Sequence, residues 1–242
     1  MAKYGSADCS FFLVSQFDLK GISSSLGSSV SAEVEETTGL GDAWQESQAT
    51  GMRSGTLEAE GFYDHAADSV NAALSGSEAT SRVISFGFAG NTRGQACTLM
   101  AGAFGGAYSR PVTRTALTKA SATWTVSGQV DDAGVLLHPL GAQTATGTTT
   151  SVDNDASRAS GAVANLHVTA VSGSSPTLDV KLRHSSDNST FADVTAGAWT
   201  QATAVTSQRI SVSGTVNRYV SVTYTVGGSS PSFTFAVAMA RG

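Results

Sequence analysis

The sequence predicts an all-β chain, mainly strand with one short helix, and three observations carry that expectation. Only 14% of the 242 residues are charged, and Gly, Ser, Thr, Ala and Val dominate, the usage of a β-rich protein with many turns and small buried side chains. Polar and apolar residues alternate with period two in "SSVSAEVEE", residues 28 to 36. From residue 163 onward, short apolar runs recur between turn signals. A hydrophobic content of 40% is enough to fill one large core or two ordinary ones.

The first of these strands places Val30, Ala32 and Val34 on one side and Ser31, Glu33 and Glu35 on the other, giving an apolar face and a solvated acidic one. A polar, glycine-punctuated arm without a periodic apolar face begins at residue 37, and alternation resumes in "TLEAEGFYD", residues 56 to 64. That stretch aligns without gaps with "TWTVSGQVD", residues 123 to 131, with Leu57 matching Trp124 and Ala59 matching Val126. The match fits either neighbouring strands with bulges at Gly61 and Gly128 or chance. Between them "DHAADSVNAALSG" reads as the helix: Asp64 caps it, Ala66, Val70, Ala73 and Leu74 form its apolar stripe, and Gly76 ends it. "RVISFGFAG" (82 to 90) and "GQACTLMAGAFGGAYSRP" (94 to 111) read as strands that bend at glycines.

The clearest break is "LGAQTATGTTTSVDNDAS", residues 140 to 157, where small polar residues run longer than a hairpin needs. The expected division is a first domain over 1–140, a linker over 141–157 and an antiparallel β-sandwich over 158–242. The sandwich strands are expected at 163–171, 178–185, 191–194, 208–214, 218–226 and 232–240. "SSDNST" turns between two of them through Asp187 and Asn188, and "GGSSPS" joins the last pair.

The motifs of common enzyme chemistry are missing: there is no GxxxxGK loop, HExxH, GxSxG or CxxC. The chain is therefore not expected to be an enzyme, and no catalytic residue, metal or cofactor is assigned. His167 and His184 fall in strands, where a structural role outweighs metal ligation, and Asp153, Asn154 and Asp155 read as a turn more readily than as a calcium loop. Cys9 and Cys97 are expected as reduced structural thiols. No run approaches eighteen apolar residues, and "FFLV" (11 to 14) is too short for a signal peptide, so membrane insertion is not expected and synthesis in a cytoplasm is.

Charge is regional. Residues 1 to 140 hold 8 Lys/Arg against 14 Asp/Glu, whereas 141 to 242 hold 6 against 5. A first domain so balanced has no basic footprint for gripping nucleic acid. A conduit lined with carboxylates, by contrast, denies phosphates tight sites and lets a duplex slide through.

"SQFDLKGISSSL" (15 to 26), "TTGLGDAWQE" (37 to 46), "TGMRSGTLEAEGFYD" (50 to 64) followed directly by a short helix, and "TWTVSGQVDD" (123 to 132) together resemble the major tail protein, the tail tube subunit, of long non-contractile-tailed bacteriophages. The resemblance covers most of residues 1 to 140. It implies a tail-tube β-sandwich or barrel domain, six copies in a ring, and rings stacked into a hollow tube through which genomic DNA passes. It further implies a virion location and, as partners, other copies of the chain and the tape measure, tail tip and tail terminator proteins. On this reading the arm becomes ordered on the next subunit, with Trp44 as anchor, Met52 beside it, and Asp42, Glu46 and Arg53 at the contact rim. Glu33 and Glu35 then face the lumen.

The C-terminal half is similar to the β-sandwich half of related phage tail proteins, which implies an outer decoration domain. Its "HSSDNSTFADV" hairpin is also similar to sugar-binding jelly-roll modules. The alternative reading is accordingly a carbohydrate-binding decoration module with Trp199, Tyr219 and Tyr224 as glycan contacts.

Overall fold

A computed structural model describes residues 11–40, 43–64, 70–75, 81–112, 114–126 and 130–242. Among these, strands dominate and one short helix interrupts them. The elements are β1 (Phe11–Val14), β2 (Phe17–Asp18), β3 (Ser23–Glu36), β4 (Ser47–Phe62), α1 (Val70–Leu74), β5 (Arg82–Gly87), β6 (Ala96–Ser109), β7 (Lys119–Val126), β8 (Val130–Gln143), β9 (Gly147–Thr148), β10 (Val152–Asp153), β11 (Ala162–Ser185), β12 (Ala192–Ala198), β13 (Thr206–Val212) and β14 (Tyr219–Arg241). The expected all-β class with one short helix is what the chain adopts. The expected helix start, including His65 and Ala66, and its stop at Gly76 lie outside the described residues, as do Cys9 and Gly128.

Contacts divide the chain into two units. One comprises residues 1–21, 82–100 and 131–242; the other comprises 22–81 and 101–130. This partition departs from the expected boundary at 141–157. The small polar residues there are not a linker, because β8 runs through Leu140 to Gln143 and pairs antiparallel with β14, from Gly134↔Ala240 to Phe233↔Gln143. β9 and β10 then add to the outer part of β14, with a Thr148 to Thr223 hydroxyl bond of 2.8 Å. Backbone pairing at a sheet edge needs no apolar side chain, so composition alone hides such strands.

The larger unit is built on an antiparallel ribbon of β11 and β14, 24 and 23 residues long. The sequence expects four separate strands there, but each expected pair is one continuous strand. The interrupting segments, Gly173-Ser174-Ser175-Pro176 and Gly228-Ser229-Ser230-Pro231, face each other across the ribbon, with Ser172↔Ser232 and Ser174↔Ser229 in register. They adopt matching conformations: φ is 113° at Gly173 and 114° at Gly228, 48° at Ser175 and 49° at Ser230. A Cβ on Gly228 would lie 2.8 Å from the Ser175 carbonyl oxygen, and one on Gly173 would lie 2.8 Å from that of Ser230. Only glycine fits either place.

One face of the ribbon fills a core with Leu166, Val168, Val180, Leu182, Phe233 and Phe235, among others. The other face of its inner half packs Ala236, Ala238 and Ala240 against Phe11, Leu13, Leu99 and Leu136. This two-sided burial explains why "FAVAMA" is apolar without alternation. A buried polar chain ties the early strands to the late ones. His167 contacts the Ser15 carbonyl at 2.7 Å through Nδ1 and the Ser85 hydroxyl at 2.9 Å through Nε2. Asn165 donates to Ser85 at 3.0 Å and to the Ile84 carbonyl at 3.2 Å, and Arg209 joins Asn165 to Asp131, the latter at 2.9 Å. Burial pushes the His167 imidazole down to about 4, so it is neutral at pH 7. Burial likewise pushes the free Cys97 thiol up to about 12, which leaves it a small apolar filler.

Candidate functional site

The smaller unit is a sheet ordered β3–β4–β7 with the second half of β6 at its far edge. The aligned segments of the sequence do lie on neighbouring strands, β4 and β7, but these run antiparallel: Leu57 sits opposite Trp124, whereas Ala59 sits opposite Ala122 and not Val126. The pairing of β4 with β7 runs evenly through Gly61, so no bulge occurs there on that side. A Cβ at Gly61 would meet the Ile22 carbonyl at 2.6 Å and a Val70 methyl at 2.7 Å, which explains the glycine as the place where α1 closes on the sheet.

Period-two alternation sorts this sheet into two unlike faces. One face buries Leu57, Ala59, Ala120, Ala122, Trp124 and Val126 together with Val70, Ala73 and Leu74 of α1. The opposite face presents small hydroxyls and charge along its central strands, with the Phe62 ring, 51% exposed, beside Lys119 at their end. Ser29 bonds Thr56 at 2.7 Å and Ser31 bonds Ser54 at 2.9 Å, hydroxyl to hydroxyl. Glu58, Glu60, Ser121 and Thr123 continue the face, and a shallow depression lies among Ser25, Gly27, Glu58, Glu60, Ser121 and Thr123. Lys119 donates to Glu60 at 2.7 Å, and this bond holds the Glu60 carboxyl below the usual carboxylate range. By alternation along β3, Glu33 and Glu35 stand on this polar side, both exposed. Of the predicted acidic lining, Glu33 and Glu35 thus share a face with Glu58 and Glu60, two carboxylates that reading of the sequence missed.

Beyond Gly55 the partner strand β7 ends, and β3 and β4 continue as a two-stranded arm. The structure corrects the expected arm in two ways. Strand begins at Ser47, well before residue 56, so the irregular part is confined to 37–46. Val34 pairs with Ala49 and Ala32 with Arg53, leaving 50–52 as a bulge at Gly51, whose φ is 88°. The valine row is also solvated rather than buried: Val30, Ala32 and Val34 are exposed, Val34 at 62%. At the tip, Thr37 N–H donates to the Glu46 carbonyl at 2.9 Å and Glu46 N–H to the Thr38 hydroxyl at 3.0 Å, closing the loop. Leu40 projects fully into solvent and Trp44 is 85% exposed.

The predicted arm residues are therefore only partly brought together. Trp44 and Glu46 share the tip; Arg53 lies on the valine row opposite Ala32, past the bulge. Asp42 and the Met52 side chain fall outside the described residues. The alternative glycan contacts require correction. Trp199 is 5% exposed and Tyr224 is core, its ring edge-on to Phe235 at 5.3 Å and its hydroxyl bonded to Gln143 at 3.0 Å. Tyr219 is half-buried beneath the Arg218 guanidinium at 5.0 Å. Tyr224 faces inward by alternation along β14, and Trp199, just past the end of β12, packs into the same core.

Among the described residues no group of three His, Cys, Asp or Glu is placed to hold a metal ion, and no helix is long and apolar enough to cross a membrane. Asp153, a candidate calcium ligand, instead receives two bonds of 2.6 Å from Arg218.

No protein-family model matches the sequence, and no curated protein matches it. Solved structures similar to this chain include the tail of an empty gene transfer agent particle refined with C6 helical symmetry, at 14% identity and TM-score 0.40, covering 54% of this chain and 98% of that one. The virion of the native gene transfer agent particle gives 14% identity and TM-score 0.39, covering 53% and 97%. The SPP1 Dit protein, described as a paradigm of the hub adsorption apparatus in phages infecting Gram-positive bacteria, gives 11% identity and TM-score 0.32, covering 96% and 98%. Likeness at this level assigns neither function nor assembly to this chain.

Proposed function

We propose that this chain is a non-enzymatic structural subunit of a phage tail, and that copies join through the β3–β4 arm into stacked hexameric rings around a channel for DNA. The observation that carries the reading is the arm. A lone two-stranded hairpin is marginal in water, and this one exposes a row of valine and alanine on one side and an indole and a leucine at its tip. Burial that the described residues of its own chain do not supply is supplied by a neighbouring copy, as large exposed apolar groups at an interface core are.

The polar face of the same sheet suits a channel wall. Small hydroxyls keep it smooth, while Glu33, Glu35, Glu58 and Glu60 outnumber Lys119, which is already paired with Glu60. Such a wall repels phosphates and gives a passing duplex no tight site. The tape measure, tail tip and tail terminator proteins belong to this reading as partners, and the virion as its location. No feature favours the carbohydrate reading, since two of its three aromatic rings are core.

Negative-stain microscopy of the purified protein tests the proposal: rings or hollow tubes are the expected result, and monodisperse monomers at all concentrations and salts overturn it. Replacing Glu33 and Glu35 by Lys tests the wall separately. Tubes should still form, but DNA should adhere to them at low salt; failure of DNA to bind removes these carboxylates from the channel.

A further inference from the structure

The arm needs a receiving surface, and the same unit carries one at its opposite end. Residues 33 to 46 contain Glu33, Glu35, Glu36, Asp42 and Glu46 and no Lys or Arg, whereas 110 to 119 contain Arg110, Arg114 and Lys119 and no Asp or Glu. The second segment is the connection from β6 to β7. It exposes Val112 and Leu117, at 79% and 76%, with Arg114 also exposed between them. The loop is anchored at both ends: the Arg110 guanidinium lies over the Tyr108 ring at 5.3 Å and the Tyr63 ring at 5.8 Å, and Tyr63 N–H donates to the Thr118 carbonyl at 2.9 Å. Two surfaces of one unit thus each combine exposed large apolar side chains with charge, and the charges are opposite.

Register shows that these surfaces cannot meet within one molecule. The basic loop enters β7 at Lys119, opposite Phe62, the last residue of β4, while the arm tip leaves β3 at Glu36, opposite Ser47, the first residue of β4. Roughly 25 Å of evenly paired sheet, Phe62 to Gly55, separates the loop from the point where the arm begins. Complementary patches at opposite ends of one sheet make a head-to-tail contact, which propagates into a ring or a stack.

We infer that the acidic arm tip, led by Trp44 and Leu40, docks on the basic 110–118 loop of the next copy, with Arg114 facing Glu36 and Glu46 and the indole covering Val112 and Leu117. This rests on the subunit reading above and specifies its contact. Lys119 stays with Glu60, so Arg114 is the cation that gives the contact its polarity.

Charge reversal in the full-length chain tests it. Arg114→Glu alone, and Glu36→Arg with Glu46→Arg alone, should each raise the concentration needed for assembly about tenfold or more, read by sedimentation velocity, while near-UV circular dichroism stays that of the wild type. Mixed one to one, the two variants should assemble again, because each arm then meets a complementary loop on the other variant. Wild-type-like assembly of either variant alone, or a mixture that stays dissociated, overturns the inference and leaves the subunit reading standing; absence of assembly in the wild type overturns both. As an independent measurement, a photo-crosslinking amino acid replacing Trp44 should label 110–118 of another copy. Labelling confined to any other segment overturns the pairing.

Discussion

Two long antiparallel ribbons in this molecule obey opposite rules. β11 and β14 cross the larger unit with both faces of their inner half buried, and β3 and β4 leave the smaller unit with both faces of their outer half in water. Both contain alternating apolar residues, and both contain a bulge with left-handed backbone. The difference lies in what flanks them: β13, β12, β8, β9 and β10 pair along the first ribbon, whereas β7 stops at Gly55 on the second. Alternation therefore announces a strand and its faces, but not whether a neighbour exists to cover them. Burial in the first ribbon serves folding; exposure in the second is available for association.

Perturbing each ribbon in turn sharpens that contrast. The largest effect is expected from ending the chain at residue 140. It removes β11 and β14, strips Ala236, Ala238 and Ala240 from the core around Phe11 and Leu136, and leaves Ser15 and Ser85 without His167. The residues of the larger unit that remain should lose cooperative unfolding altogether, as read by hydrogen exchange of β1 and β5; protection like that of the full chain would contradict the two-unit partition. Next, Phe235→Ala deletes a fully buried ring stacked on His138 at 4.2 Å and should cost about 3–5 kcal/mol in denaturant unfolding. A cost below ~1 kcal/mol would mean the ribbon core is not close-packed.

A smaller, pH-dependent effect follows from His167. Its imidazole is held neutral in the fold, titrating near 4, while in the unfolded chain it titrates near the ordinary 6.5. The unfolded state thus binds the extra proton between those values, so the stability is fully present above about pH 6.5 and is lost as pH falls toward 4. The shift corresponds to up to about 3 kcal/mol at 1.4 kcal/mol per unit. His138 and His184 are also pushed down by burial and add the same sign, so the comparison that isolates His167 is wild type against His167→Gln. The variant should show a flatter midpoint between pH 7 and 4.5; identical slopes would assign the acid sensitivity elsewhere.

The smallest effect on folding is expected from Trp44→Ala, within about 0.5 kcal/mol, because the indole contacts solvent. The same change should weaken assembly strongly. A tryptophan whose loss disturbs folding and leaves assembly untouched would reverse the roles assigned to the two ribbons.

Much of this was legible in the residues. The alternation of Val30, Ala32 and Val34 gave the faces of β3, and the match of Leu57 with Trp124 gave two true neighbours. Asp187 and Asn188 gave a true turn: the Asp187 carboxylate accepts from Thr190 N–H, the Ser185 hydroxyl and Ser189 N–H, which hold it down at about 2, and Asn188 has φ 59°. What escaped was non-local. Gly and Pro in 173–176 and 228–231 signal turns by local chemistry, and only a partner more than fifty residues away makes them the crossing of two straight-through strands. The unit boundary escaped for the same reason, since Asn165 and His167 find their partners about eighty residues earlier. On the candidate surface, the acids of the arm were visible, whereas Glu58 and Glu60 became part of it only through the register of β3 with β4.

The mirrored Gly-Ser-Ser-Pro crossing has one more consequence. Along β14 the residues facing the main core switch from even numbers, Val220, Val222 and Tyr224, to odd ones, Phe233, Phe235, Val237 and Met239, and the switch happens within this crossing. A single residue added to or removed from that tetrapeptide would transpose the alanine row with the phenylalanine, valine and methionine row, sending bulky groups where only methyls fit. Loops elsewhere can drift in length over generations; this stretch has the outward look of a loop and the tolerance of a keyway, and descendants of the chain should keep its residue count even where its letters change.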